Sequence, residues 1–200
     1  MKDGYQPGEN SQPALSRVPY GPMSGAGPER PGPQGRERER MSESDGQQNE
    51  PFQEPPRDEI PGISRQHVAA MEASDEDAIW VIAGMHHVVL RTIGRKSGKE
   101  HKVALPYWVD PEGYLVVVAS FSGAPQHPAW YLNLTDRQAN PEVLCRVQGS
   151  QFWADAQVLD GEDYTETWAG LNADRPYYND YQSRTDRRIP LVRLVETRAV

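Results

Sequence analysis

Several kinds of residue and pattern are missing from this 200-residue sequence, and each absence excludes something. Cys145 is the only cysteine, so no internal disulfide can form, which fits a reducing compartment. The longest wholly apolar run, counting glycine, is Ala78 to Met85. A bilayer span needs roughly 20 such residues. The N-terminus lacks the basic-then-apolar order of a secretory signal. No Cys/His pair has zinc-type spacing. His86 and His87 are adjacent on an expected strand and would face opposite ways, so no metal site is expected. Neither G-x-S-x-G nor G-x-G-x-x-G occurs. An excess of positive charge is also missing: the net charge is −8, so no nucleic-acid partner is expected. Any anion site must therefore be local.

Large apolar residues are scarce in residues 1–59, where Leu15, Val18 and Phe52 are the only Leu, Ile, Val or Phe. The same stretch holds 10 of the 18 prolines and 8 of the 17 glycines. It reads as a disordered N-terminal tail, with too little apolar surface to offset ordering entropy. Residues 60–200 are 62 apolar in 141 and contain all five tryptophans, enough for one folded domain.

Within that domain, Ile63 to Ala73 suits a helix with Ser64 as N-cap. His86–Ile93, Val103–Val109 and Tyr114–Ser120 read as strands joined by short turns, an antiparallel meander. Tyr114–Ser120 is apolar on both faces and so belongs at the centre of a sheet. Pro128 suits the first turn of a helix through Leu134, and Asn140-Pro141-Glu142 looks like another helix start. Val143–Val147 and Gln151–Leu159 form a hairpin around Gly149-Ser150. Glu162–Ala173 is a helix and Ile189–Val195 a closing strand. Six strands and about three helices predict an α+β, barrel-like domain rather than βαβ winding.

Five cations lie between Arg91 and Lys102: Arg91, Arg95, Lys96, Lys99 and Lys102, with His101 beside them. Gly94 and Gly98 bracket the turn and allow close backbone approach to an anion. The cluster is either a phosphate or carboxylate site or a hairpin tip kept soluble by lysines.

The segment Arg91-Thr92-Ile93-Gly94-Arg95-Lys96-Ser97-Gly98 resembles the T-x-G-R-K-[ST]-G block of the deazaflavin (F420)-dependent nitroreductase and F420H2-dependent quinone reductase family. So do Val118-Ala119-Ser120, the run Gly123 to Leu134 with its His127-Pro128-Ala129-Trp130, Ala139 to Val143, and Asp180 to Pro190. These blocks cover residues 64–196 in the family's order. The resemblance implies a split β-barrel, FMN-binding-like in fold, of about six mostly antiparallel strands with peripheral helices. It implies coenzyme F420, an 8-hydroxy-5-deazaflavin with a phosphate and polyglutamate tail; FMN is the less favoured cofactor. It also implies transfer of hydride to a quinone or nitro compound, with the cofactor supplying the redox chemistry.

Carried over by position, Arg95, Lys96 and Ser97 meet the phosphate and tail, with Lys99 and His101 beside them. Ser120 lies near the ring or substrate, and Trp130 and Asn133 face the cofactor together. Tyr107, Tyr178 and Tyr181 form the acceptor pocket, where a phenol can pack on a flat ring and donate a hydrogen bond or a proton. This chain has Phe121 where the family often has lysine, His101 where it commonly has arginine, and Arg175 where it often has tyrosine. Asp186, Arg187 and Arg188 are expected in surface or interface ion pairs. A second reading keeps the anionic flavin-like ligand but no turnover, as a binding or sequestering protein. The expected setting is cytoplasmic, peripheral to the inner membrane face if the acceptor is a lipid quinone, with a homodimer as the candidate assembly.

Overall fold

A computed structural model describes residues 55–200. The expectation of disorder for the tail falls mainly on residues 1–54, outside the described residues.

The helix expected from Ile63 starts earlier. Helix α1 spans Ile60–Ala73, with Glu59 at its N-cap and a proline in its first turn. Ser64 therefore lies inside the helix, and its Oγ accepts a hydrogen bond from the Ala104 backbone N–H at 3.2 Å. A short α2 (Asp77–Trp80) leads into the two-residue β1 (Val81–Ile82). Then come β2 (Met85–Ile93), β3 (Glu100–Val109) and β4 (Leu115–Val118). Helix α3 (Ala129–Leu134) begins immediately after Pro128, as expected. The hairpin β5 (Val143–Val147) and β6 (Ser150–Val158) follows, then α4 (Gly161–Asp174), α5 (Tyr177–Ser183) and β7 (Leu191–Ala199).

The order β1-β2-β3-β4-β7-β6-β5 closes because β2 also pairs with β5. Six antiparallel strands, β2 to β7, thus make a closed barrel with no free edge between them. Besides the earlier start of α1, the short α2 and β1 were not foreseen, and two further elements differ from the sequence reading. Asn140-Pro141 starts no helix but leads into β5, and α5 was read only as a tyrosine-rich segment.

Alternation along the strands sorts the core into layers. Val88, Leu90, Val117, Cys145 and Val192 fill the barrel interior together with Trp130 and Leu134 of α3. Val89, one residue out of phase, faces Val68, Met71 and Trp80 of α1 and α2. Val116 and Leu191 likewise face outward, beneath Leu171 of α4 and Tyr178 of α5. That double cover explains why the β4 sequence is apolar on both faces. Burial pushes the Cys145 thiol up, so it stays protonated and inert.

Candidate active site

The β2–β3 pairing runs from His87 opposite Pro106 to Ile93 opposite Glu100, and its open end delivers the basic turn. Within the turn, the Gly94 N–H donates to the Lys99 carbonyl (2.7 Å) and the Gly98 N–H to the Gly94 carbonyl (2.8 Å). A Cβ on Gly94 would lie 2.6 Å from Ser97 Oγ and 2.7 Å from His101 Nε2. Glycine is needed here because those two side chains fold over it, themselves 3.4 Å apart.

Two buried asparagines brace the turn from beneath. Asn133 Oδ1 accepts from both the backbone N–H and the Nη1 of Arg95 (3.3 Å each). Asn140 Oδ1 accepts from the Ile93 N–H (2.6 Å), and its Nδ2 donates to the carbonyls of Ile93 (2.9 Å) and Asn133 (2.8 Å). Asn133 thus orients the turn as well as lining the cleft. Asn140, read from sequence as a helix start, satisfies three buried backbone groups instead.

Ion pairing divides the cations. Arg91 pairs with Glu100 (2.5 Å), and Lys102 pairs with Glu72 of α1 (2.5 Å) and Glu100 (3.5 Å). The Lys102 ammonium is held above its ordinary pKa chiefly by its hydrogen bond to Glu72. Arg95, Lys96 and Lys99 have no ion pair among the described residues, and all three are exposed. Their charge is available to a ligand.

Beside the turn lies a cleft of about 1100 Å³. It follows β3 from Glu100 to Pro106, about 20 Å at the usual strand rise. Arg95, Lys96, Ser97 and His101 line it at the Glu100 end. At the other end are Met85, Tyr177, Tyr178 and Tyr181, with the Tyr177 hydroxyl 3.2 Å from Met85 Sδ. Ser120, Trp130 and Asn133 also line it, and Ile60, Ser64 and Val68 of α1 form a further wall.

Nine of the eleven site residues expected from sequence therefore share this cleft. Two do not line it. Lys99 sits on the exposed outer part of the turn, with its N–H on Ser97 Oγ (3.2 Å). Tyr107 is buried in the barrel core, 6.0 Å from the His86 ring. The three tyrosines of α5 touch one another, with ring centroids 4.6 Å (Tyr177–Tyr178) and 5.9 Å (Tyr178–Tyr181) apart. Burial, reinforced by Tyr177, pushes the Tyr178 phenol well up, so it remains a donor at all ordinary pH.

Phe121 to His127 form a loop between β4 and α3, as their sequence suggests, but its backbone conformation was not legible there. Phe121 (φ 47°), Ser122 (φ 53°) and Gly123 (φ 69°) are successive left-handed residues, a costly run for side chains. A Cβ on Gly123 would lie 2.4 Å from the Tyr181 carbonyl oxygen, so this loop and α5 pack backbone to backbone. Arg57 Nη2 donates to the Ser122 carbonyl (2.9 Å), which ties a residue from before the expected boundary at 59 to the cleft wall. Arg188 pairs with Asp160 as expected (2.8 Å), whereas Arg187 turns inward and donates to the carbonyls of Ser120 (2.6 Å), Ala124 (2.8 Å) and Ala119 (3.1 Å).

Fold and site together define a closed split-barrel protein whose cleft joins a cationic turn to an aromatic wall. The profile of the F420H(2)-dependent quinone reductase family matches residues 63–196, and the chain belongs to that family. The chain is 37% identical over 108 residues to F420H(2)-dependent quinone reductase Rv1261c of Mycobacterium tuberculosis, covering 52% of this chain and 70% of the relative. Among solved structures, an F420-H2 dependent reductase (FDR-A) is 36% identical with a TM-score of 0.46, covering 54% of this chain and 92% of that one. Another, described as a domain-swapped dimer, is 33% identical with a TM-score of 0.49, covering 65% and 94%. Family membership makes the protein an F420-dependent oxidoreductase.

The residues present suit that cofactor. The unpaired cations Arg95 and Lys96, with Ser97 and His101 beside them on the cleft, form a donor set for phosphate and carboxylate oxygens. No helix among the described residues is long and apolar enough to cross a membrane, and no group of His, Cys, Asp and Glu there could hold a metal ion.

Proposed function

We propose that this protein reduces a quinone with reduced F420, binding the cofactor's tail at the basic turn and the acceptor at the α5 end. One observation carries the reading: a single cleft has available cations at one end of β3 and a cluster of phenols at the other. The deazaflavin, when bound, supplies the hydride. The chain's own residues do the rest. Arg95 and Lys96 hold phosphate and carboxylate oxygens, with Arg95 kept in place by Asn133. Trp130, buried on α3, offers a rigid apolar wall for a flat ring. Tyr178 and Tyr181 can donate hydrogen bonds to an acceptor oxygen as it gains charge. Because the Tyr178 phenol is held protonated, we assign it hydrogen-bond donation and assign proton delivery to the more exposed Tyr181.

A quinone is favoured over a nitro compound by the family's description. The test is turnover of reduced F420 by purified protein with menadione or with a nitroaromatic, followed by deazaflavin absorbance. Faster turnover per unit concentration with menadione is expected. Preference for the nitroaromatic would reassign the acceptor. Binding without turnover by either would favour the sequestering reading.

A further inference from the structure

His127 lines the cleft just ahead of α3, and its Nδ1 is 3.3 Å from Arg187 Nη1. A guanidinium carries only donors, so Nδ1 must accept. The imidazole is then neutral, with its proton on Nε2. Arg187 is not free to swing away. Three of its other donors, on Nε, Nη1 and Nη2, go to the carbonyls of Ala124, Ala119 and Ser120. Those carbonyls flank the left-handed Phe121 and Ser122, so one side chain holds both the strained loop and the histidine. The opposite ring nitrogen, Nε2, has no hydrogen-bond partner among the described residues, and the ring packs on Tyr131 with centroids 4.9 Å apart.

We propose that Arg187 positions His127 as a neutral Nε2–H donor in the cleft, where it binds a carbonyl oxygen of the ligand. That oxygen belongs either to the deazaflavin ring or to the quinone, so the ligand's name rests on the function proposed above; the tautomer does not. Burial and the adjacent Arg187 charge hold the His127 pKa below its ordinary value, in keeping with a neutral ring. Besides Arg187, the titratable groups on this side are Tyr131 and, near Tyr131, Arg188. Arg187 is a positioning residue here, and His127 is the one that touches ligand.

The test begins without ligand. Long-range proton–nitrogen correlation spectra at pH 7 are expected to show His127 as the Nε2–H tautomer. An Nδ1–H tautomer or an imidazolium overturns the proposal. Replacing the histidine then locates the contact. His127→Gln, which keeps a donor of similar reach, is expected to change neither the Kd for F420 nor the KM for menadione by more than about threefold. His127→Phe is expected to raise one of them about tenfold. A rise in Kd assigns the bond to the cofactor, and a rise in KM assigns it to the quinone. If His127→Phe moves neither, the proposal is wrong. If wild-type protein binds no F420, the proposed function fails, while the spectrum still decides the Arg187–His127 pair.

Discussion

At the scale of single residues, the site depends on groups that never touch ligand. Asn140 satisfies the N–H and carbonyl of Ile93 and the carbonyl of Asn133. Asn140→Ala takes the side-chain partner from both Ile93 groups, while the Asn133 carbonyl keeps the Asp136 N–H (3.0 Å), at a cost of about 2–3 kcal/mol, as for buried polar groups generally. The expected result is a lower denaturant midpoint and weaker F420 binding, because the strand end feeding Gly94 loosens. Gly123→Ala is the sharper probe. It forces a Cβ to 2.4 Å from the Tyr181 carbonyl oxygen at φ +69° and should cost more than about 2 kcal/mol. Thermal unfolding checks both variants. The basic turn was legible in sequence as like charges gathered between two glycines, a pattern that by itself fits an anion site and a solvated hairpin tip equally, and the family resemblance favoured the first. Asn140 and Arg187 were misread for one reason: a polar side chain next to proline or beside other charges looks local. Their partners come from β2 and from the β4–α3 loop, far away in the chain.

At the scale of elements, strands were read well where β-branched runs alternate, as in β2 and β4, and their ends less well. Helix α5 escaped notice because Tyr177-Tyr178-Asn179-Asp180-Tyr181 has modest helix propensity. Packing of Tyr178 against Leu171, Leu191 and Val116 makes it a helix. The docking of α1 carries its own pH dependence. His67 of α1 and His87 of β2 meet edge to face at 4.8 Å. Burial first, then the charge of His67, lowers the His87 pKa from 6.5 to about 4. The unfolded chain therefore takes up this proton before the native state does. The native advantage is intact above pH 6.5 and is lost progressively as the pH falls toward 4, by up to about 3 kcal/mol. Urea denaturation at pH 7 and pH 4 should show this loss in the wild type. In His87→Gln the loss between the same two pH values should be smaller; an equal loss would remove His87 as its cause.

At the scale of the whole molecule, the barrel is a frame that sets a cationic turn about 20 Å along β3 from an aromatic cluster. Its class was readable from six strands with short turns, and its closure was not, because the β2–β5 pairing that seals it joins segments some 55 residues apart, such as Leu90 and Cys145. The acidic remainder of the surface makes the turn the natural landing place for a polyanion. The N-terminal boundary has a consequence of the same scale. Deleting residues 1–54 is expected to leave turnover unchanged. Deleting residues 1–59 also removes Arg57 from the Ser122 carbonyl and the start of α1's support, and should lower turnover severalfold. Equal rates for the two truncations would show that Arg57 holds nothing of consequence.

The most direct measurement is the Kd of wild-type protein and of Lys96→Ala for two ligands, F420 and the same deazaflavin riboside without phosphate and glutamates. If the tail lies on the basic turn, Lys96→Ala weakens F420 binding by about tenfold, the worth of a charge-assisted hydrogen bond, and leaves binding of the tail-less compound unchanged. Equal effects on the two ligands, or none on F420, would contradict the account.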